Sequence, residues 1–404
     1  MSIIVQKFGG SSLTTRELRE HAIRHIEKAK NQNKQVVVVV SAMGRKGDPY
    51  ATDTLLQLLS EDNHKVAKRE KDLLLHCGEI ISATVLANLL ENKGHSTTVL
   101  TGGQAGIRTN QEYGNAQILE IETSRILSEL NQNRIVIVTG FQGATYVGDI
   151  TTLGRGGSDT TATALGAALK ADYCDIFTDV DGIMTADPRI VKDARKLSYV
   201  TYHEICNLAY QGAKVIHPRA VEAAMSANLP IRIRSTFLDT EGTLVADQTY
   251  FDSNDQKQQY ISALTGITQM SNITQIKVIL EEGPFDWQMK VFKAMADHQI
   301  SVDFININMS GVAYTVADDY SGKVVKVLET LGLHPKVETN CAKISCVGAA
   351  MAGVPGVMAK IIEVLTKENI RILQSVDSHT TIWVLVKEQD MEKGVQALHE
   401  AFYL

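Results

Sequence analysis

The sequence is poor in cysteine and shows no arrangement of cysteines that would suggest a cross-linked or metal-bound fold. Its five cysteines are Cys77, Cys174, Cys206, Cys341 and Cys346. They form no CxxC pair and no spacing typical of a metal site. Reduced thiols that fill a core are the simplest interpretation, and we expect a cytoplasmic protein.

The sequence also lacks an excess of positive charge and long apolar runs. Lysine and arginine total 40 against 46 aspartates and glutamates, for a net charge of -6. No basic domain or arm indicates nucleic-acid binding. We find no apolar run long enough for a bilayer, and residues 1–5 resemble a short strand rather than a signal peptide. We therefore predict neither a nucleic-acid nor a membrane partner, and two or three globular domains in 404 residues.

Three common nucleotide-binding motifs are missing as well. No GxxxxGK[ST] segment is present, which excludes a P-loop, and no HRD or DFG motif indicates a protein kinase. After Gly154-x-Gly156, Asp159 stands where a dinucleotide motif needs its third glycine. A phosphate site in this chain must therefore be built in another way.

The first part of the chain repeats the order strand, glycine-rich turn, helix. Residues 3–8 and the five valines at 36–40 suit central strands that are covered on both faces. The order predicts an open, mainly parallel α/β sheet with helices on both faces. We expect a helix over residues 161–169, capped by a residue between 158 and 160, and a helix over residues 72–90, interrupted at Gly78-Glu79.

Several glycine-rich turns follow strands of this sheet, and we expect them on one rim. Ligands of open α/β sheets bind beyond the carboxyl ends of the strands. The turns concerned are residues 7–12, 41–44, 101–106, 140–143 and 178–182.

Two glycine-rich stretches have the chemistry of an anion site. Lys7 directly precedes Gly9 and Gly10, and Arg155 stands among three glycines of the stretch 153–162. Glycines let a ligand approach backbone N–H groups, and the two cations would neutralise its charge. Considered singly, each feature has a plain alternative: a solvated lysine at a strand end, and an ordinary strand–turn–helix junction.

The composition changes near residues 239–259, where polar and turn-forming residues indicate a boundary. After it, a pattern of strand, loop, helix, strand and strand occurs twice. This repeat predicts two small α+β modules.

An ordered set of motifs resembles the aspartate kinase (aspartokinase) family. The motifs are residues 7–12, 41–44, 78–79, 140–143, 153–162, 178–182, 185–189 and 212–218. The resemblance is to the short monofunctional bacterial type, with an amino-acid kinase fold followed by two ferredoxin-like ACT modules. It implies a catalytic domain at 1–245, a linker at 246–263 and ACT modules at 264–338 and 339–404.

The resemblance implies transfer of the ATP γ-phosphoryl group to the side-chain carboxylate of L-aspartate. The product would be 4-phospho-L-aspartate, the first intermediate toward lysine (through diaminopimelate), threonine and methionine. Magnesium would accompany ATP, without a dedicated metal site in the protein. An amino-acid effector would bind the ACT modules, and the chain would form a homo-oligomer, at least a dimer.

The resemblance also assigns residues. The implied catalytic residues are Lys7 and Asp159. Implied contacts to aspartate are Thr52, Glu79, Arg155, Gly156, Gly157 and Ser158. Implied contacts to the nucleotide are Lys7, Phe8, Gly9, Gly10, Phe177, Thr178, Asp179, Met184, Arg189, Lys214 and Val215. The implied regulatory residues are Asp303 and Asn306.

Several alternatives stay open at this point. The acceptor could be another amino acid or small carboxylate, or the chain could be a non-catalytic amino-acid sensor. Residues 45–51 look inserted, which weakens the assignment of Thr52, and Glu79 could instead cap a helix after Gly78. Met184 stands where the family often has tyrosine, and His217 before Pro218 is expected to be structural. The inhibiting end product could be lysine, threonine or diaminopimelate.

Overall fold

The computed structural model describes residues 2–59, 66–213, 215–253, 264–279, 286–308, 311–348, 351 and 354–404. The chain divides into two compact units. The first consists of Met1–Ile183, Lys196–Ala209 and Lys214–Gln258, and the second of Met184–Arg195, Tyr210–Ala213 and Gln259–Leu404.

The first half of the chain contains both strands and helices, with several strands in succession before and after α4. The strands of the first half are β1 (Ile3–Phe8), β2 (Gln35–Val40), β3 (Thr97–Leu100), β4 (Ile107–Thr109), β5 (Ile118–Ile121), β6 (Ile135–Thr139), β7 (Gln142–Ala144), β8 (Ile150–Thr152), β9 (Tyr173–Thr178), β10 (Tyr199–Thr201), β11 (Ile231–Ser235) and β12 (Thr243–Ala246). The helices are α1 (Arg16–Asn31), α2 (Thr52–Gln57), α3 (Lys68–Glu91), α4 (Ser124–Asn131), α5 (Gly157–Ala168), α6 (Tyr202–Tyr210), α7 (Pro218–Ser226) and α8 (Gln248–Ser253).

An eight-stranded sheet forms the centre of the first unit, in the order β10-β12-β11-β9-β1-β2-β6-β3. All neighbouring strands are parallel except β11 and β12. The prediction of an open, mainly parallel sheet is confirmed. A smaller four-stranded sheet, β5-β4-β7-β8, belongs to the same unit.

The valine run explains the position of β2. Its five valines are fully buried, as a parallel strand between two layers requires. On one face, Val36 and Val38 join a core with residues of α1 and α3, including Ile23 and Leu86. On the opposite face, Val5 of the neighbouring β1 lies close to Gly166 of α5. Helices therefore cover both faces.

Helix α3 runs without a break from Lys68 to Glu91, so the predicted interruption at Gly78 is wrong. Glycine is needed there for packing: a Cβ at Gly78 would lie 2.8 Å from the Ala42 Cβ. This helix is also long and apolar enough to cross a bilayer, and half of its apolar window is buried inside the protein. We expected no apolar run long enough for a bilayer, and that expectation is wrong when the helix is judged by its length and composition alone.

Helix α5 begins at Gly157, four residues before the predicted start. The residue that precedes it, Gly156, has a left-handed backbone (φ 69°), and no side chain caps the helix. Because glycine reaches this conformation without strain, it turns the chain directly into the helix. Ser158, Asp159 and Thr160 therefore lie in the first turn and do not cap it.

The second unit contains one six-stranded sheet. Its strands are β13 (Gly266–Ile279), β14 (Asp303–Asn308), β15 (Gly311–Ala317), β16 (Lys336–Val347), β17 (Gln374–Asp377) and β18 (Thr381–Lys387). Its helices are α9 (Trp287–Asp297), α10 (Ser321–Thr330), α11 (Val357–Lys367) and α12 (Glu388–Ala401). The strand order is β14-β15-β13-β16-β18-β17, and all pairs are antiparallel.

The two strand–loop–helix modules share this sheet through the long central strands. One half of β13 pairs with both β15 and β16, and the other half pairs with β16 alone. The helices α9 and α10 pack in one apolar core, and α11 and α12 in another. The repeat in the sequence thus corresponds to two helix pairs on one continuous sheet.

Candidate active site

The turns that follow the parallel strands of the first unit meet at one rim. The Gly44 N–H donates to the Gly10 carbonyl over 3.0 Å, and the Gly140 N–H donates to the Val40 carbonyl over 2.9 Å. The register of β1 with β2 and β9 brings their carboxyl ends side by side. The predicted clustering of turns is therefore confirmed for these strands.

Gly9 and Gly10 form a tight turn at the end of β1. A Cβ at Gly10 would lie 2.4 Å from the Ala42 carbonyl oxygen, so no larger residue fits there without a shift. A Cβ at Gly9 would lie 3.5 Å from the Lys7 Nζ atom, which places the ammonium group directly beside this glycine. A cation and backbone amides therefore occupy one small region.

The two predicted catalytic residues, Lys7 and Asp159, form an ion pair. The Lys7 Nζ atom lies 2.7 Å from the Asp159 Oδ1 atom, and the side chains are 11% and 15% exposed. Lys7 is held by the central strand β1, and Asp159 by the first turn of α5. The positive end of the helix dipole favours the carboxylate at this position.

The phenyl rings of Phe8 and Phe177 are stacked, with centroids 4.7 Å apart, and both are fully buried. Neither side chain is therefore available to a ligand. The Thr178 hydroxyl, at the end of β9, donates to Asp179 Oδ1 over 3.2 Å.

Asp179 also pairs with Arg45, whose guanidinium Nη2 lies 2.5 Å from Asp179 Oδ2. Arg45 belongs to the segment 45–51 that looks inserted in the sequence, and sequence analysis did not single it out. Its side chain is 71% exposed. Because the partner follows a different strand, no sequence pattern indicates this contact.

The turn that carries Arg155 is shaped by two glycines with positive φ, Gly154 at 76° and Gly156 at 69°. A Cβ at Gly156 would lie 2.2 Å from the His217 Cβ and Cγ atoms, so only glycine fits against this ring. His217 in turn caps α7: its ring accepts a hydrogen bond from the Arg219 N–H over 3.3 Å. The expected structural role of His217 is confirmed.

Arg155 is exposed, and its charge acts on the same His217 ring as that of Asp159. Burial lowers the pKa of His217; the Asp159 carboxylate opposes this shift, and the Arg155 guanidinium adds to it. Both groups therefore act on one imidazole. Ser158, in the first turn of α5, is buried, and a Cβ at Gly140 would lie 2.9 Å from its Oγ atom.

Glu79 is a buried carboxylate at the same rim, only 2% exposed. Its Oε1 atom accepts a hydrogen bond from the Ala42 N–H over 3.1 Å. Its buried Oε2 atom has no hydrogen-bond partner within the described part of the chain. Burial raises the pKa of Glu79 to about 8. Because Glu79 lies inside α3, the alternative of a capping glutamate is wrong.

Comparison with known proteins identifies the family. The model of the amino acid kinase family matches residues 2–235, and a model of the ACT domain matches residues 336–400. The chain is 54% identical to aspartokinase 1 of Bacillus subtilis over 404 residues, which is 100% of both chains. The chain belongs to the aspartokinase family. Its identity to the aspartokinase of Geobacillus stearothermophilus is 41%, over 100% of this chain and 98% of that protein.

A solved aspartokinase structure agrees with the fold. The crystal structure of Escherichia coli aspartokinase III in complex with aspartate and ADP is 25% identical and covers 100% of both chains, with a TM-score of 0.80. The predicted family and the fold class, an amino-acid kinase fold followed by ACT modules, are confirmed.

The remaining implied site residues of this aspartokinase are Thr52, Met184, Arg189, Lys214 and Val215. Thr52 is half-buried and begins α2. Met184 and Arg189 belong to the second unit, where the Arg189 guanidinium, 87% exposed, pairs with Asp187 at 2.6 Å. Lys214 lies outside the described residues, whereas Val215 precedes α7 in the first unit.

The implied regulatory residues lie on β14 of the second unit. Asp303 Oδ2 accepts a hydrogen bond from the Lys343 Nζ atom over 2.6 Å, and Lys343 is only 4% exposed. A cavity of about 250 Å³ adjoins this pair, lined by Phe304 and Trp383 among others. Asn306, farther along the strand, is exposed.

A second cavity, of about 490 Å³, lies between the loop before α11 and the turn after β17. Its lining includes Val354, Asp377 and Ser378. Asp377 and Ser378 lie at and just after the end of β17, the strand that the sequence repeat makes equivalent to β14. The smaller cavity is therefore lined by residues of both modules, such as Asp303 and Trp383, and the larger one by residues of the second module.

Proposed function

We propose that the chain transfers the γ-phosphoryl group of ATP to the side-chain carboxylate of L-aspartate. A carboxylate oxygen forms a bond to the γ-phosphorus, the bond from that phosphorus to the β–γ bridging oxygen breaks, and ADP leaves with the electron pair. The observation that supports this proposal most is the largely buried Lys7–Asp159 pair at a rim built of glycine turns. Full-length identity of 54% to an aspartokinase supports the acceptor.

Lys7 neutralises charge on the transferred phosphoryl group in this proposal, and Asp159 holds its ammonium in place. The N–H groups of Gly9 and Gly10 add donors beside the same anion. No general base is required, because the attacking carboxylate is already ionised near neutral pH. Positioning and electrostatic stabilisation supply the catalysis.

Arg155 and Glu79 recognise the two charged groups on the α-carbon of the aspartate. The exposed guanidinium of Arg155 suits a bidentate contact with the α-carboxylate. The unpartnered Oε2 atom of Glu79 suits the α-ammonium group, which would keep this buried carboxylate ionised. Gly156, Gly157 and Ser158 line the same turn, and Thr52 supplies a hydroxyl.

ATP would bind along the ends of β1 and β9. The backbone of Phe8 and Phe177, the Thr178 hydroxyl and Asp179 contribute from the first unit, together with Val215 and Lys214. We assign Met184 and Arg189 to the nucleotide as well.

Magnesium fits the residues at this rim. Among the described residues, no cluster of three or more His, Cys, Asp or Glu side chains could cage a metal ion. This suits an ion that is held mainly by phosphate oxygens and takes one or two carboxylates from the protein. Asp179 would supply such a ligand. When bound, the ion would neutralise the β- and γ-phosphate oxygens.

The wider assignment follows the family. We propose a catalytic domain at 1–245, a linker at 246–263 and ACT modules at 264–338 and 339–404, in a cytoplasmic enzyme that serves lysine, threonine and methionine biosynthesis. An amino-acid end product would bind near Asp303 and Asn306. The outer strand β14 exposes Ile305 and Ile307 at the sheet edge, which suits pairing with a second copy of the chain.

A hydroxylamine-trapping assay with ATP, magnesium and L-aspartate tests the activity. We expect hydroxamate that depends on all three, and its absence under every condition would reject the proposal. A panel of other amino acids and small carboxylates tests the alternative acceptor. Binding of nucleotide or amino acid without any turnover would favour the non-catalytic sensor.

A further inference from the structure

Asp72 is a buried carboxylate that the proposed mechanism does not use. It lies in α3, and its side chain is fully buried. No lysine or arginine of the described residues forms an ion pair with it, although a buried carboxylate usually has such a partner. Its charge is instead satisfied by hydrogen-bond donors alone.

Three donors converge on this carboxylate, and two of them belong to Thr152. The Thr152 N–H donates to Oδ2 and the Thr152 hydroxyl to Oδ1, both over 2.8 Å. The Gly114 N–H donates to Oδ2 over 2.9 Å. An anion can accept all three bonds at once, and charge makes each of them stronger.

These bonds connect the two segments to which we assign aspartate recognition. Thr152 ends β8, three residues before Arg155. Glu79 lies seven residues after Asp72 on the same unbroken helix, which is two turns along one face and about 10 Å away. The carboxylate therefore fixes the start of the arginine turn against the helix that carries Glu79.

The third donor extends the connection to the other side of the turn. Gly114 precedes Asn115, whose Oδ1 atom accepts a hydrogen bond from the Arg219 guanidinium over 2.9 Å. The same guanidinium donates to the Leu153 carbonyl over 3.0 Å. A Cβ at Gly154 would lie 2.9 Å from the Asn115 Oδ1 atom. Asp72 thus holds both walls of the turn that carries Arg155.

We propose that Asp72 is a positioning residue for the acceptor amino acid: it sets the separation between Arg155 and Glu79 through Thr152 and Gly114. This inference rests on the proposed function. It predicts an effect on aspartate that a general folding role would not produce, because the nucleotide is assigned to the ends of β1 and β9.

The test compares Asp72→Ala with Asp72→Asn by steady-state kinetics of the full chain. We expect Asp72→Ala to raise the KM for aspartate about tenfold or more and to change the KM for ATP by less than about twofold. Asp72→Asn should restore most of the loss, because its amide oxygen can accept both N–H bonds while the Thr152 hydroxyl turns to accept from the amide.

Glu129→Ala is the matched control. Glu129 is a buried carboxylate on α4 that likewise accepts from a threonine hydroxyl, that of Thr98, over 2.9 Å. The Glu129→Ala variant should lower the thermal midpoint of unfolding and change the KM for aspartate and the KM for ATP by less than about twofold. If Asp72→Ala changes the two KM values equally, or leaves the KM for aspartate unchanged, the inference is overturned.

A second variant decides the question if Asp72→Ala does not fold. Thr152→Val removes only the hydroxyl donor and should raise the KM for aspartate about two- to threefold, with an unchanged KM for ATP. An unchanged KM for aspartate in this variant would overturn the inference. Failure of the proposed function is distinguishable, because the unmodified chain would then show no aspartate-dependent turnover at all.

Discussion

The Lys7 ammonium and the Asp159 carboxylate lie 2.7 Å apart, although one side chain belongs to the first strand and the other to α5. The pair is largely buried, and Gly9 is its immediate neighbour. A phosphoryl group placed there would meet a cation whose position is fixed in advance by its own counter-ion. Such preorganisation is the main electrostatic source of catalysis in phosphoryl transfer.

Lys7→Ala should lower kcat by at least about a hundredfold, because it removes a donor to the charge that develops in the transition state. Lys34→Ala is the matched control, because Lys34 also pairs with an aspartate, Asp172, at 2.9 Å. Lys34 precedes the amino end of β2, whereas Lys7 lies near the carboxyl end of the parallel strand β1. Steady-state kinetics with the hydroxamate readout would compare them. An unchanged kcat in Lys7→Ala would contradict the assigned role.

Arg155→Ala should raise the KM for aspartate about tenfold or more and change that for ATP much less, because a bidentate carboxylate contact is lost. Arg125→Ala serves as the control, since Arg125 is 59% exposed and pairs with Glu129 on α4. An effect of Arg155→Ala confined to ATP would show that the guanidinium serves the nucleotide instead.

Glu79→Gln should change the pH dependence of stability. The folded-state pKa is about 8 against an ordinary value of 4.5, so the folded protein holds the proton more tightly than the unfolded chain. Stability from this group is complete below about pH 4.5 and is lost as the pH rises toward about 8. The thermal midpoint of the unmodified protein should therefore fall relative to Glu79→Gln over this range.

The same titration should appear in substrate binding. An ionised Glu79 is required to pair with the substrate ammonium, so the KM for aspartate should decrease as the pH rises toward about 8. Glu79→Gln should weaken aspartate binding and flatten this dependence. If the midpoint and the KM for aspartate depend on pH in the same way in Glu79→Gln as in the unmodified protein, the assignment is contradicted.

Gly156→Ala should destabilise the protein more than Gly94→Ala. Both positions have positive φ, 69° and 89°, and alanine there costs about 1–2 kcal/mol. Only at Gly156 would the added Cβ also meet another group, the His217 ring at 2.2 Å. Overpacking adds about 1–3 kcal/mol. Thermal midpoints would measure the difference, and equal shifts would show that the ring moves aside freely.

Asp303→Ala should weaken inhibition by the pathway end product without abolishing turnover. The change leaves Lys343, which is 4% exposed, without its carboxylate partner beside the 250 Å³ cavity. Lys290→Ala is a suitable control, because Lys290, on α9, forms an exposed ion pair with Asp286. Titrations of lysine, threonine and diaminopimelate would identify the effector. Identical inhibition curves would remove Asp303 from the site.

Much of the fold could be predicted from the sequence, because its signals are local. The valine run of β2 and the glycines after β1 are readable without any contact information. The details that failed depend on packing. Gly78 looks like a helix breaker but is accommodated in α3, where the neighbouring Ala42 leaves no room for a side chain.

The residues of the candidate site likewise fall into those that the sequence indicates and those that only the structure reveals. Ordered motifs pointed to Lys7, Glu79, Arg155 and Asp159. Lys7, Arg155 and Asp159 stand at a strand end, in a turn and at a helix start, where such chemistry is concentrated, whereas Glu79 lies inside α3. Arg45 and Asp72 were missed. Their partners, Asp179 and Thr152, lie in other segments, and no periodicity connects a residue with a partner that distant.

The sequence by itself determined the kind of chemistry: which strands are buried, which turns need glycine, and which cations stand beside them. These properties follow from side-chain type and from the periods of helix and strand. Only the tertiary structure decided which groups meet, such as Lys7 with Asp159 and Gly156 with His217. Such contacts join segments far apart in the chain, and close packing of the whole unit, rather than any local preference, selects them.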